Sequence, residues 1–254
     1  MNKQTLEKIR EKREFSQLPK IDIEMAYEQF AKRQVNEEEK IRLTRELLRK
    51  VFSAFISKKL LSLKEKDEEW ILRKHISTRE RLPHYDKIYK RIFDGIREAS
   101  VIDLGAGING FSYDFFKKLG IKVNYTAIES LGQLGGLMSF YFEKNKINGK
   151  AIHMSLFEKE KVKEIINKNK KPRIIFLFKV IDALETLKRD YSKELISEIT
   201  PTAEKIVVSF AIKSLGSREK FKVKRNWIVN FIKENFHLLD DFELGGERYL
   251  VFSK

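Results

Sequence analysis

The stretch Val101–Gly110, VIDLGAGING, decides the fold. An apolar run broken only by Asp103 leads into Gly105, Gly107 and Gly110, a G-x-G-x-x-G pattern. Glycines so spaced let the chain turn sharply after a strand and bring its backbone close to a ligand. The pattern by itself suits a dinucleotide as well as other nucleoside ligands, so the flanking sequence has to discriminate.

From Val101 onward, short apolar runs alternate with amphipathic stretches. The runs predict strands at 101–104, 123–128, 150–154, 174–178, 205–211, 236–243 and 248–253. The stretches between the first six predict helices at 109–120, 131–147, 158–170, 185–199 and 218–235. Alternation of this kind implies a parallel sheet with helices on both faces. The end differs: in FHLLDDFELGGERYLVFSK two strands meet directly through Gly245-Gly246, which predicts a hairpin and an antiparallel last strand. Five β-α units closed by such a hairpin predict the Rossmann-like, seven-stranded α/β sheet of class I S-adenosylmethionine (SAM) methyltransferases, whereas a nicotinamide domain normally ends on a parallel sixth strand.

Two acids bear on the ligand. Asp103 precedes the first glycine by two residues, where it serves the amino-acid end of SAM directly or by fixing the loop; dinucleotide folds generally carry an apolar residue there. Glu129 ends the second strand, YTAIE, and is placed for ribose hydroxyls under either ligand. Gly105, Ala106 and Gly107, with Ser155, Leu156 and Phe157 after the third strand, complete the expected cofactor contacts. Lys179 and Asp182, after the fourth strand, and Phe210, ending the fifth, are candidates for positioning the acceptor. Asp182 either lines the pocket or caps the helix at 185–199; Phe210 either stacks on a base or packs in the core. Trp70 and Trp227 read as core residues.

Residues 1–95 have a different rhythm, with apolar residues at helical spacing. Helices are expected at 2–14 and 22–33, with Pro19 breaking the first and Asp22 as N-cap of the second. Leu43, Leu47, Val51 and Phe55, flanked by Leu48, Phe52, Ile56 and Leu60, form the stripe of an amphipathic helix of about 25 residues, started by the acidic VNEEEK. An all-α domain over 1–95 before a methyltransferase domain over 96–254 is the expected organisation. The helical faces carry Arg42, Arg45, Arg49, Lys50, Lys58 and Lys59, which either form a solvated surface or contact RNA.

Composition narrows the chemistry. The formal net charge of +15 favours a polyanionic partner. With no cysteine, thiolate metal sites, Cys nucleophiles and C5 methylation of pyrimidines through a Cys adduct are excluded. The four histidines show no metal-ligand spacing, so no metal is expected. The charged start MNKQTLEKIREKRE is unlike a signal peptide, and no apolar run approaches the roughly 18 residues of a membrane span. A monomeric, cytoplasmic protein is the expectation. After the fourth strand the text IIFLFKVIDALE lacks the Asn/Asp-Pro-Pro-aromatic string of exocyclic-amine methylation, leaving a ring nitrogen, a ribose oxygen or a small molecule as acceptor.

A more specific signal is HISTRERLPHYDKIY, His75 to Tyr89, preceded by LLSLKEKDEEWILRKH. Together with VIDLGAGING, IFLFKVIDALETLKRDYS and IVVSFAIKSLGSRE, it resembles the 16S ribosomal RNA guanine-N7 methyltransferases of the aminoglycoside-resistance (Arm/Rmt/Kgm) family, over most of the chain and in order. The resemblance implies methylation of guanine N7 (guanine 1405) in the decoding A-site of the assembled 30S subunit, with SAM as cofactor and a helical N-terminal part docked on 16S-type rRNA. It implies Arg79 and Arg81 at the SAM carboxylate, Gly105 and Gly107 in the loop, and Glu129 on the ribose. It also implies Lys179, Lys213, Ser214 and Arg218 around the target nucleotide. The chain departs from the family at Asp182-Ala183, where Pro-Cys is common, and at Ala211, Ile212 and Ser217. These departures leave a different RNA base (adenine N1, or a tRNA base) and a SAM-binding assembly factor with little activity as alternatives.

Overall fold

In the apolar strands alternate side chains face opposite sides, and both sides are covered. The computed structural model describes residues 1–53, 60, 67–212 and 225–254. Seven strands form one sheet: β1 (Glu98–Leu104), β2 (Lys122–Glu129), β3 (Gly149–His153), β4 (Arg173–Phe178), β5 (Lys205–Ala211), β6 (His237–Leu244) and β7 (Glu247–Ser253). Their order is β3-β2-β1-β4-β5-β7-β6. The first five are parallel; β7 inserts antiparallel between β5 and β6, which it meets through the Gly245-Gly246 turn. This is the class I methyltransferase sheet, with its switch in strand order between β1 and β4. All seven predicted strands are present, with ends shifted by up to three residues.

Val101, Tyr125, Phe176, Val207 and Tyr249 point to one face; Ile102, Ile128, Ile175, Val208 and Leu250 point to the other. The period of two fills two cores at once. On the second face lie α9 (Lys159–Asn167), α10 (Ile181–Leu187), α11 (Tyr191–Ile199) and α12 (Asn226–Asn235). On the first lie α6 (Tyr85–Ile92), α7 (Tyr113–Lys118) and α8 (Gly132–Lys144). Helix α6 presents Tyr85, Ile88, Tyr89 and Ile92, all fully buried. Tyr89 stacks on Phe116 at 4.1 Å between centroids and on Phe176 at 6.0 Å. Aromatic stacking adds about 0.5–1.5 kcal/mol to area burial, and here it fixes the segment that carries His75 and Arg81 over the sheet.

Among the described residues every element before β1 is helical: α1 (Lys3–Arg10), α2 (Lys20–Ala31), α3 (Glu37–Leu48), α4 (Glu68–Leu72), α5 (Ile76–Arg81) and α6, with short 3-10 turns. Their buried residues Leu6, Ile9, Phe15, Leu18 and Ile23 belong to the same hydrophobic cluster as the first sheet face. Asn36 caps α3 through Glu39 N at 2.9 Å, with three glutamates in the first turn.

Several expectations need correction. The long helix stays α-helical only to Leu48 and widens into a π-turn over Arg49–Ser53; the positions of its stripe beyond 53, apart from Leu60, lie outside the described residues. The first helix ends at Arg10 and resumes as a 3-10 turn at Arg13–Phe15. Asp22 is not the N-cap of α2: Pro19 holds that position and Asp22 is buried in the first turn. The helix expected at 109–120 opens as a 3-10 turn before α7. The helix expected at 185–199 is two, because Asp190 adopts a left-handed φ of +61° and breaks it. Glu185 caps the second piece, accepting from Asp190 N at 2.7 Å and Ser192 N at 2.9 Å, so Asp182 does not cap it. Trp70 and Trp227 are partly buried against the two clusters.

Candidate functional site

Strand β1 ends at the glycine loop, and the loop is clamped to the end of β2. Gly105 and Gly107 have φ of +69° and +57°, which β-carbon-bearing residues rarely adopt. The amides of Gly105 and Ala106 donate to the Ile128 carbonyl at 2.9 and 3.1 Å. The Gly107 amide donates to Glu129 Oε2 at 2.7 Å, and the Leu131 amide to Oε1 at 2.8 Å. Burial pushes the Glu129 carboxyl up to about 7, despite these two amides and with help from the Asp103 and Asp22 charges.

Above this loop is a cavity of about 480 Å³, at the C-terminal ends of β1, β2, β4 and β5. Its lining includes Gly105, Ala106, Gly107 and Glu129 from the sheet edge, and Leu131, Leu134, Leu156 and Phe157 as an apolar wall. His75, Ser77, Thr78 and Arg81 come from the segment around α5; Lys179, Asp182, Ala211 and Arg225 come from the far side. Lys50, Val51 and Phe52 reach it from the π-turn, and Asp22 from α2. The widened turn is what re-aims residues 50–52, which a continuous helix would have carried round.

A chain of buried polar contacts backs the cavity. Asp103 accepts from Asn109 Nδ2 at 2.8 Å and from the Tyr125 hydroxyl. Asn109 Oδ1 accepts from Arg81 at 3.0 Å and Tyr85 at 2.7 Å. Arg81 pairs with Glu247 at 3.1 Å, with both side chains at most 3% exposed. Burial alone would raise the Glu247 carboxyl, but the charges of Arg81 and Lys179, with hydrogen bonds from Ser209 and Arg81, hold it below the usual range. Lys179 lies 2.5 Å from Glu80 and 3.4 Å from Glu247. Its backbone has φ of +56°, a strained conformation for lysine at the edge of β4. His75 is half-buried and lines the cavity; burial, with the Arg81 and Lys179 charges, holds its imidazole down to about 3, so it is neutral at pH 7.

The structure therefore brings together Arg81, Gly105, Ala106, Gly107, Glu129, Leu156, Phe157, Lys179 and Asp182. Asp103 stands behind the loop and fixes it through Asn109 rather than lining the cavity. Arg79 is exposed and outside it. Ser155 is turned to Asp22, and Phe210 is buried in the second core beneath Arg225. Asp182 pairs with Arg225 at 2.6 Å. Of the surface cations, Arg42 is held by Glu39 and Glu46, each at 2.5 Å; Arg45 by the Lys8 carbonyl and Glu11; Arg49 by Glu14. Lys58, Lys59, Lys213, Ser214 and Arg218 lie outside the described residues. Sequence reasoning missed Asp22, His75, Glu247 and Arg225 as site residues, and read Lys50, which lines the cavity, only as an outer-face cation. His75 and Glu247 stood inside motifs already singled out; Asp22 and Arg225 carry no local signal.

The family described as ribosomal RNA methyltransferase (FmrO) matches residues 47–227, well over half of the chain and the whole glycine-loop region. The chain belongs to this family. The chain is 26% identical over 198 residues to the 16S rRNA (guanine(1405)-N(7))-methyltransferase of Proteus mirabilis, covering 72% of this chain and 64% of that protein. It is 27% identical over 184 residues to the enzyme of the same name from Micromonospora echinospora, covering 71% and 63%. The chain thus spans less than two thirds of the length of these curated relatives. The fold is shared with the 16S rRNA methyltransferase RmtF, solved in complex with S-adenosyl-L-homocysteine (TM-score 0.81, 19% identity, all of both chains). It is shared also with the 16S rRNA methylase RmtB (TM-score 0.75, 17% identity, 99% and 97% covered). Among the described residues no cluster of three or more His, Asp or Glu is placed for a metal, and no helix is long and apolar enough to cross a membrane.

Proposed function

We propose that the chain is a SAM-dependent methyltransferase acting on a guanine N7 of 16S rRNA, corresponding to guanine 1405, in the assembled 30S subunit. The observation that carries this reading is the glycine loop clamped by Glu129 beneath a cavity at the switch in strand order, in a chain of a ribosomal RNA methyltransferase family. The residues fit SAM in kind. A carboxylate stands beside the loop for the ribose, an apolar wall of Leu131, Leu134, Leu156 and Phe157 suits a heterocycle, and Arg81 and Lys179 supply cations for a carboxylate. When bound, SAM supplies an electrophilic methyl group on sulfur.

Guanine N7 carries a free electron pair and no proton, so the chain has to position the base and exclude water, not deprotonate it. A neutral His75 and acids tied into ion pairs suit that task. Residues 1–95 are proposed to dock on rRNA with Arg42, Arg45, Arg49, Lys58 and Lys59, the three arginines exchanging weak surface pairs for phosphates. Residues 96–254 are proposed to hold SAM, and Lys213, Ser214 and Arg218 to meet the target nucleotide. The protein is proposed to work as a cytoplasmic monomer.

Methyl transfer from tritiated SAM to purified 30S subunits and, in parallel, to naked 16S RNA tests this, followed by borohydride and aniline cleavage at N7-methylguanine. The expected result is a single cut at the A-site guanine, on 30S only. Label without a cut would sink the N7 assignment, and no label on either substrate would sink the enzyme reading.

A further inference from the structure

Helix α2 contributes a buried carboxyl to the cavity. Asp22 is 1% exposed and is among the residues lining the space above the glycine loop. Its Oδ1 accepts from the Ser155 hydroxyl at 2.6 Å. Its Oδ2 is buried and has no hydrogen-bond partner. Ser130 is near enough to favour the ionised carboxyl, but its hydrogen bond runs to the Met154 carbonyl at 3.4 Å, leaving Oδ2 without a donor. Burial pushes the carboxyl up to about 6, with the Glu158 charge adding, against the Ser155 and Ser130 hydroxyls. A buried acceptor left unmet costs about 1–3 kcal/mol, so a ligand donor at this point is worth a comparable amount.

The position of Asp22 decides which donor. The cations Arg81 and Lys179 stand on the β4 and β7 side, where they would take the amino-acid end of the cofactor. Asp22 is on the opposite side, held to Ser155 after β3 and beside Ser130 after β2, against the apolar wall of Leu131, Leu134, Leu156 and Phe157. Glu129, between these two ends, is placed for the ribose. Resting on the SAM reading above, we infer that Asp22 Oδ2 accepts a hydrogen bond from the exocyclic N6 amine of the adenine, so that the N-terminal helical segment completes the base-recognition end of the cofactor site. Ser155 is then a positioning residue, spending its hydroxyl on holding Asp22.

Calorimetry with S-adenosylhomocysteine and with S-inosylhomocysteine, whose 6-oxo group accepts where the amine donates, tests this. The wild-type chain should prefer the adenine ligand by tenfold or more, since the analogue sets an acceptor against a carboxylate and leaves it unmet. In Asp22→Ala the preference should collapse to within about twofold of unity, because no acceptor then faces the base. A ratio of affinities is insensitive to the fraction of folded protein, and the wild-type comparison stands even where the variant does not fold. Equal binding of both ligands by the wild type, or an unchanged preference in Asp22→Ala, overturns the inference while leaving the SAM reading intact. Wild type that binds neither ligand overturns both.

Discussion

Moving from pH 8 to pH 6 should weaken binding of S-adenosylhomocysteine about tenfold, through Glu129. Burial sets its carboxyl at about 7 in the free protein, well above the ordinary 4.5. Ribose hydroxyls donating to the carboxylate favour its ionised form, so the bound state holds the proton much less tightly. The apparent dissociation constant then scales as one plus ten to the power of pKa minus pH. That factor is about eleven at pH 6 and about one at pH 8. Asp22, at about 6, adds roughly a further factor of two at the acid end. The stability of the free protein runs the other way. Raised carboxyl values mean that the native state holds protons the unfolded chain has released. The Glu129 contribution is therefore fully present below 4.5 and is lost as pH rises through about 7. Isothermal titration across pH 6–8 in wild type and Glu129→Gln reads the effect; the variant should keep only the shallow slope left by Asp22. A wild-type constant flat within twofold, or an equally steep profile in Glu129→Gln, would refute the reasoning.

Other outcomes are expected from the same geometry. Gly105→Ala places a β-carbon 2.5 Å from Val180 Cγ2 at φ +69°, and Gly107→Ala one 3.2 Å from His75 Nε2. Gly105→Ala should lose about 1–3 kcal/mol of stability and the ligand affinity, Gly107→Ala less, and a Gly105→Ala melting temperature equal to wild type would contradict the packing. Glu247→Gln strands the buried Arg81 beside an uncharged partner, leaving Lys179 to Glu80, and should cost about 3–5 kcal/mol in urea unfolding, with part regained in the double variant with Arg81→Met; a loss below about 1 kcal/mol would mean the pair is not buried as described. Asp182 is 52% exposed and pairs with Arg225 at the acceptor side of the cavity. Asp182→Ala takes the carboxylate from the buried Arg225 guanidinium and should cost about 1–3 kcal/mol of stability, while S-adenosylhomocysteine affinity stays nearly unchanged and methyl transfer to 30S falls about tenfold; equal transfer would remove Asp182 from acceptor positioning.

Much of the cofactor side is local and was legible. Gly105, Gly107 and Glu129 lie at the ends of adjacent strands, so their separation along the chain sets their separation in space. The residues behind and across the cavity are not of that kind. Arg225, Lys50 and Asp22 reach it from helices and turns whose angle depends on side-chain packing. The π-turn at Arg49–Ser53 replaced a helix that the apolar spacing would continue, because spacing along the chain does not record whether a turn closes i to i+4 or i to i+5. Asp22 read as a cap because a short polar side chain at a helix start has that use by default; only the fold placed Ser155 within reach of it.

By itself the sequence determined the seven strands, their parallel pairing up to β5, and the hairpin that turns β7 back, because alternation of apolar residues and a Gly-Gly turn act over a few neighbouring residues. Tertiary structure alone decided that Arg81, Glu247 and Lys179 share one buried network and that an acid near the N-terminus enters the cavity over β3. Those contacts join residues up to 166 positions apart, and no periodicity along a chain encodes a meeting that depends on how whole elements stack.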